Sequence, residues 1–148
     1  MTPINHKNKY YQRLYEEWVQ HGKIVAAVDF DDTISPWKFK DQEDLIKLDK
    51  TINLLKVCKQ TGIWLVVFTA CNEDRYEEIK KYCADKGLDI DGINITPIDV
   101  PYGKNGKIYA NIFLDDRAGI DEALDMLEVT VYKVRAYKQS KINLDDAA

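Results

Sequence analysis

No stretch of this chain approaches the roughly 18 consecutive apolar residues that a membrane-spanning helix needs, and its polar N-terminus has none of the pattern of a signal peptide. Both absences argue against a membrane partner. The three cysteines, Cys58, Cys71 and Cys83, are an odd number at spacings that match no metal motif. That excludes a disulfide framework and points to reduced thiols in a cytoplasmic protein. Cys71, two positions beyond Thr69, can be read either as a small packing residue or as a reactive thiol. Positive charge is also short: 21 Lys and Arg stand against 25 Asp and Glu, a formal net charge of -4. There is thus no general electrostatic drive towards nucleic acid or an anionic membrane, although a local basic patch stays open. The run Gly103-Lys104-Asn105-Gly106-Lys107 lacks the Gly-x-x-x-x-Gly-Lys-Ser/Thr spacing of a nucleoside-triphosphate cradle. At 148 residues, with no repeat, low-complexity tract or linker, the chain reads as one domain.

What the chain does have is the run Ile24-Val25-Ala26-Ala27-Val28-Asp29-Phe30-Asp31-Asp32-Thr33. Five apolar residues make a buried strand, and the aspartates sit where it would leave the sheet. Asp29, Asp31 and Asp32 cannot crowd together at neutral pH unless a cation, a raised pKa or divergent side chains relieve the repulsion. Oxygen donors with no His or Cys nearby favour Mg²⁺ over Zn²⁺; the alternative is an acidic turn that caps the next helix. A second apolar run, 108–116, ends in Asp115-Asp116, whose own alternative is a helix N-cap. A third, 63–68, ends at Thr69. Carboxylates at the ends of two buried strands suggest one site at the carboxyl edge of a parallel sheet, where open α/β folds bind ligands.

The remaining pattern predicts an amphipathic helix over 8–20 with Tyr11, Leu14, Tyr15, Trp18 and Val19 on one face, stopped by Gly22. Its aromatic face suits packing on the domain or an oligomer contact. Helices are expected up to Gly62 (Leu45, Leu48, Ile52, Leu55), over 74–86 and over 121–127. Further strands are expected over 90–95 and 129–136, with a fraying polar tail after 138. Alternating strands and helices predict an α/β, Rossmann-like three-layer sandwich around a mostly parallel five-stranded sheet.

The order of groups, Asp29 and Asp31, then Thr69, then a lysine, then Asp115 and Asp116, resembles that of the haloacid dehalogenase-like hydrolase superfamily. Its four motifs read here Asp-Phe-Asp-Asp-Thr, Val-Val-Phe-Thr, a lysine before the fourth strand and Ile-Phe-Leu-Asp-Asp, together spanning 24–116. Many members carry Gly where this chain has Asp32. The resemblance implies an Asp29 nucleophile that forms an aspartyl-phosphate. It implies Mg²⁺ held by Asp29, by Asp31 through its backbone carbonyl and by Asp115, with Asp116 behind them. Asp31 would be the acid and base at the leaving oxygen, and its presence favours phosphate chemistry over dehalogenation. Thr69 would donate to a phosphoryl oxygen, and Lys107, nearer the fourth strand than Lys104, would pair with phosphate; the alternative for either lysine is a solvated loop charge. Thr33 would hold the aspartates in place, or be an ordinary turn cap.

Only 40 positions separate Asp29 from Thr69 and 38 separate Thr69 from Lys107. Neither gap has room for the inserted cap domain that small-metabolite members of that superfamily often carry, so the resemblance implies a capless enzyme with an open site. In Pro36-Trp37-Lys38-Phe39-Lys40, two aromatics interleaved with two lysines could stack a base and contact phosphate, which makes a nucleotide or nucleic-acid end the leading phosphorylated substrate. The same residues could simply cover the core. Two other readings stand beside the phosphatase: a catalytically idle scaffold, and a phospho-receiver module, whose acidic residues follow a different order.

Overall fold

The computed structural model describes residues 8–38, 40–99 and 108–147. Lys104 and Lys107 lie outside them. Helix α1 (Lys9–His21) starts at Asn8, whose side chain accepts the Tyr10 and Tyr11 N–H groups, and ends at left-handed Gly22. The parallel strands β1 (Ile24–Asp29), β2 (Ile63–Phe68), β3 (Gly92–Ile93) and β4 (Ile112–Leu114) form one sheet in the order β3-β2-β1-β4. Between them run α2 (Gln42–Thr61), a 3-10 turn (Glu73–Arg75) and α3 (Tyr76–Asp85); α4 (Ile120–Ala147) follows β4.

In register, Ile24, Ala26 and Val28 of β1 lie beside Ile63, Leu65 and Val67 of β2, and Ala26 and Val28 lie beside Ile112 and Leu114 of β4. This sheet face shares one apolar cluster with Leu14 and Trp18 of α1, Leu55 and Cys58 of α2, Ile79 and Cys83 of α3, and Leu127, Val131 and Val134 of α4. The alternate residues Val25, Ala27 and Val66 are buried as well, so β1 and β2 are apolar on both sides, as central parallel strands are. From β1 the chain moves outwards through β2 to β3 and then returns to the opposite side of β1 for β4. Chain direction therefore reverses beside β1, the topological switch point of the sheet.

The structure is α/β and fits a Rossmann-like sandwich, but among the described residues the sheet has four strands where five were expected. Residues 129–136 are not a strand: they continue α4. Val129, Val131 and Val134 favour strand locally, yet Leu127, Thr130, Val131 and Val134 recur at helical spacing and are all buried. No Gly or Pro interrupts 120–147, so packing outweighs β-propensity. The helix carries on through the segment expected to fray. The third and fourth strands are shorter than the runs that predict them. Asn111 extends the β1–β4 ladder instead, its Oδ1 accepting the Val25 N–H at 2.7 Å and its own N–H donating to the Val25 carbonyl at 2.9 Å.

At the amino edge of the sheet, the Lys138 ammonium of α4 donates to the Gly22 carbonyl at 3.0 Å and the Thr61 carbonyl at 2.5 Å, capping the ends of α1 and α2 together. Burial lowers its pKa from the ordinary lysine value. The aromatic face of α1 packs inside the chain, with the Tyr11 hydroxyl donating to Asp125 at 2.8 Å. Among the described residues no helix is long and apolar enough to cross a membrane.

Candidate active site

β1 delivers Asp29 to the carboxyl edge, and the chain then folds back at once. The Phe30 carbonyl accepts the N–H groups of Ile34 and Ser35, both at 3.1 Å, and the Asp32 N–H donates to the Ser35 carbonyl at 2.7 Å. Phe30 and Ile34 point into the core and anchor the turn. Tyr82 of α3 fixes it from below, packing edge-on against Phe30 at 5.4 Å while its hydroxyl donates to the Ile34 carbonyl at 3.0 Å. Such a turn forces one residue into left-handed backbone, and Asp32 takes it with φ 64°. Gly suits that position best and Asp is among the few alternatives that tolerate it. Burial alone would raise the Asp32 pKa, but the Trp37 N–H at 3.0 Å and the Lys40 ammonium at 3.0 Å hold it below the usual carboxylate range. Its charge is thereby committed to the turn.

β4 brings the second acidic pair alongside. Oxygens of Asp29, Asp115 and Asp116 all lie within 4.8 Å of one another. The buried Thr33 hydroxyl sits between them, 3.3 Å from both Asp29 Oδ2 and Asp116 Oδ1, and accepts the Asp116 N–H at 3.1 Å. One hydroxyl proton cannot satisfy two carboxylates. Burial first, then the hydrogen bond to Asp116 and the charges of Asp115 and Asp116, raise the Asp29 pKa to about 7. Three converging carboxylates could hold a hard cation, and the repulsion on Asp29 is what a cation there would relieve. Asp115 also accepts the Arg117 N–H at 3.0 Å, which orients it.

Asp31 lies apart from this trio. Both its oxygens are taken by the Arg75 fork, at 3.1 and 3.3 Å, and the guanidinium also stacks on Trp37, 4.8 Å from the ring centroid. The Asp31 carboxylate raises the Arg75 pKa above its ordinary value. Thr69 leaves β2 at the same edge, and its hydroxyl accepts the Cys71 N–H at 3.2 Å. The Asn94 side chain, on left-handed backbone after β3, accepts the Thr69 N–H and donates to the Thr69 carbonyl, both at 2.8 Å, and also donates to the Tyr76 hydroxyl. It continues the β2–β3 ladder past the last strand residue.

A cleft of about 510 Å³ opens over Asp29, Asp31, Trp37, Thr69, Arg75 and Asp115. A second, of about 600 Å³, shares Asp29, Thr69 and Asp115 but is floored by Phe68, Phe113 and Ile108. Among the described residues, the sequence-predicted Asp29, Asp31, Thr33, Trp37, Thr69, Asp115 and Asp116 thus gather at one edge. Arg75 and Asn94 escaped the sequence reading. The sole available signal for Asn94 was an Asn, tolerant of left-handed backbone, just after a short strand; Arg75 sits between acidic residues and looks like a surface charge.

No protein-family model matches the chain, and no curated protein does. A solved structure, that of a conserved protein coded by locus from Bacteroides thetaiotaomicron, is similar over 66% of this chain and 78% of its own, at 24% identity and a TM-score of 0.49. That likeness is too slight to bear on function.

Proposed function

We propose that the protein is a Mg²⁺-dependent phosphomonoester hydrolase of the haloacid dehalogenase-like type, without a cap domain, working through an aspartyl-phosphate on Asp29. The observation that carries this reading is the convergence of Asp29, Asp115 and Asp116 at the ends of two parallel strands, with the buried Thr33 hydroxyl between Asp29 and Asp116. Asp29, Asp115 and Asp116 would hold the metal, with the backbone carbonyl of Asp31 as the further donor. Mg²⁺ supplies charge neutralisation between the anionic nucleophile and an anionic phosphoryl group.

An Asp29 oxygen attacks phosphorus as the bond to the leaving oxygen breaks, and Asp31 gives that oxygen its proton. Asp31 then takes a proton from water, which attacks phosphorus, breaks the acyl-phosphate bond, and restores Asp29 with release of inorganic phosphate. Thr69, held by Asn94, donates its hydroxyl to a phosphoryl oxygen. A lysine from 104 or 107 would neutralise a further share of the charge.

The test is phosphate release from an aryl phosphate, nucleoside monophosphates and sugar phosphates, with and without Mg²⁺, for the natural protein and Asp29→Asn. Release that requires both Mg²⁺ and Asp29 is expected. Binding of phosphorylated ligands without any Asp29-dependent release would favour the idle scaffold instead.

A further inference from the structure

Asp31 is placed to serve the leaving oxygen, yet both of its oxygens are engaged by Arg75. The fork must open before Asp31 can meet a substrate, and what enters beside Asp31 is the leaving group. That space has a defined wall. Trp37 is 57% exposed; its backbone N–H is fixed to Asp32, which Lys40 ties down in turn, and the Arg75 guanidinium lies over its ring. A guanidinium over an indole helps hold the ring in place, and the part of the ring that it leaves uncovered is open to solvent. The Arg75 charge is offset by Asp31, and Glu78 stands 3.7 Å behind it. In the free protein Arg75 is thus already paired, and what this wall offers an incoming group is the exposed face of Trp37. Phe68 and Phe113 offer apolar surface too, but they line the other cleft, to which Asp31 does not contribute.

We infer that Trp37 and Arg75 form the leaving-group subsite of this enzyme and that its occupant is a nucleobase, making the preferred substrates nucleoside monophosphates. Trp37 supplies the stacking face; Arg75 is a positioning residue that orients the ring and releases Asp31 when the substrate enters. The inference rests on the phosphohydrolase reading for its place in catalysis, but the stacking face can be tested without turnover.

Kinetics with Mg²⁺ on a nucleoside 5′-monophosphate and on ribose 5-phosphate, which carries the same phosphorylated sugar without the base, measure the contribution of the ring. The natural protein is expected to favour the nucleotide by about tenfold or more in kcat/KM, through KM, as befits one stacked base. In Trp37→Ala that ratio should collapse towards one, and Trp37→Phe should keep most of it. Arg75→Lys, which keeps the charge and loses the fork, should lower the ratio partially. A ratio unchanged in Trp37→Ala, or a natural protein indifferent to the base, overturns the inference. Calorimetric binding of the same two ligands to Asp29→Asn separates this from failure of the hydrolase reading. Base-dependent affinity that is lost in Asp29→Asn/Trp37→Ala would keep the subsite even if no phosphate is released, whereas equal affinity for both ligands would remove it.

Discussion

Thr33 and Asp116, 83 positions apart, are bonded through both backbone and side chain: the Thr33 oxygen accepts the Asp116 N–H at 3.1 Å and stands 3.3 Å from its carboxylate. The turn after β1 and the turn after β4 are thereby held in one register. Thr33→Val keeps the shape but leaves the part-buried Asp116 N–H without its acceptor. The expected cost is about 1–3 kcal/mol of stability, with Mg²⁺ affinity down by about 10- to 100-fold. Urea unfolding and calorimetric Mg²⁺ titration read the two effects separately; a change in neither would mean that the bond does not organise the site.

Asp29 gives the metal-free protein a distinctive pH dependence. Its folded pKa of about 7 lies above the ordinary 3.8, so the folded state binds the proton more tightly than the unfolded chain. The stability that this protonation brings is complete below pH 3.8 and is lost as pH rises through about 7. Asp29→Asn removes the charge, and should therefore make the metal-free protein more stable than the natural one above pH 7 by about 1–2 kcal/mol, an amount discounted because part of the carboxyl faces water. Thermal melts in chelator from pH 4 to 8 test this; parallel curves would show that the trio is not under repulsion.

The left-handed backbone at Asp32 separates two contributions of that side chain. Asp32→Gly relieves the conformation and loses the contacts to Trp37 and Lys40, whereas Asp32→Ala loses the contacts and keeps the strain. Ala should be the less stable variant by about 1 kcal/mol. Chemical denaturation of the pair decides it, and equal stability would mean that the backbone there costs nothing.

Asn94→Ala removes every bond by which that side chain holds Thr69. Phosphate release should fall by about tenfold or more, since small misplacement of a phosphate-binding group is costly. The drop should appear mainly in kcat. A variant with unaltered kcat and KM would detach Thr69 from the chemistry.

The central strands were legible because Ile24 to Val28 and Ile63 to Val67 are continuous apolar runs, a pattern that parallel burial on two faces imposes. The acidic pairs were legible because each sits at the end of such a run. Val129 to Val134 misled for a related reason: β-branched residues state a local preference, while the partners that decide the matter, on α1 and α2, lie far away in sequence. Arg75 and Asn94 act through bonds to Asp31 and Thr69 that exist only once β1, β2 and β3 are aligned. Nothing within a few positions of either residue encodes that alignment.

Lys138 reaches the last carbonyls around two joints at once, and those joints touch: a Cβ on Gly62 would lie 2.9 Å from the Gly22 oxygen. Gly22 and Lys23 alone connect α1 to β1, and Gly62 alone connects α2 to β2. A residue inserted into either joint would rotate the following strand onto its opposite face or tear its helix end from the ammonium. These two joints therefore fix the lengths of the connections that carry α1 into β1 and α2 into β2.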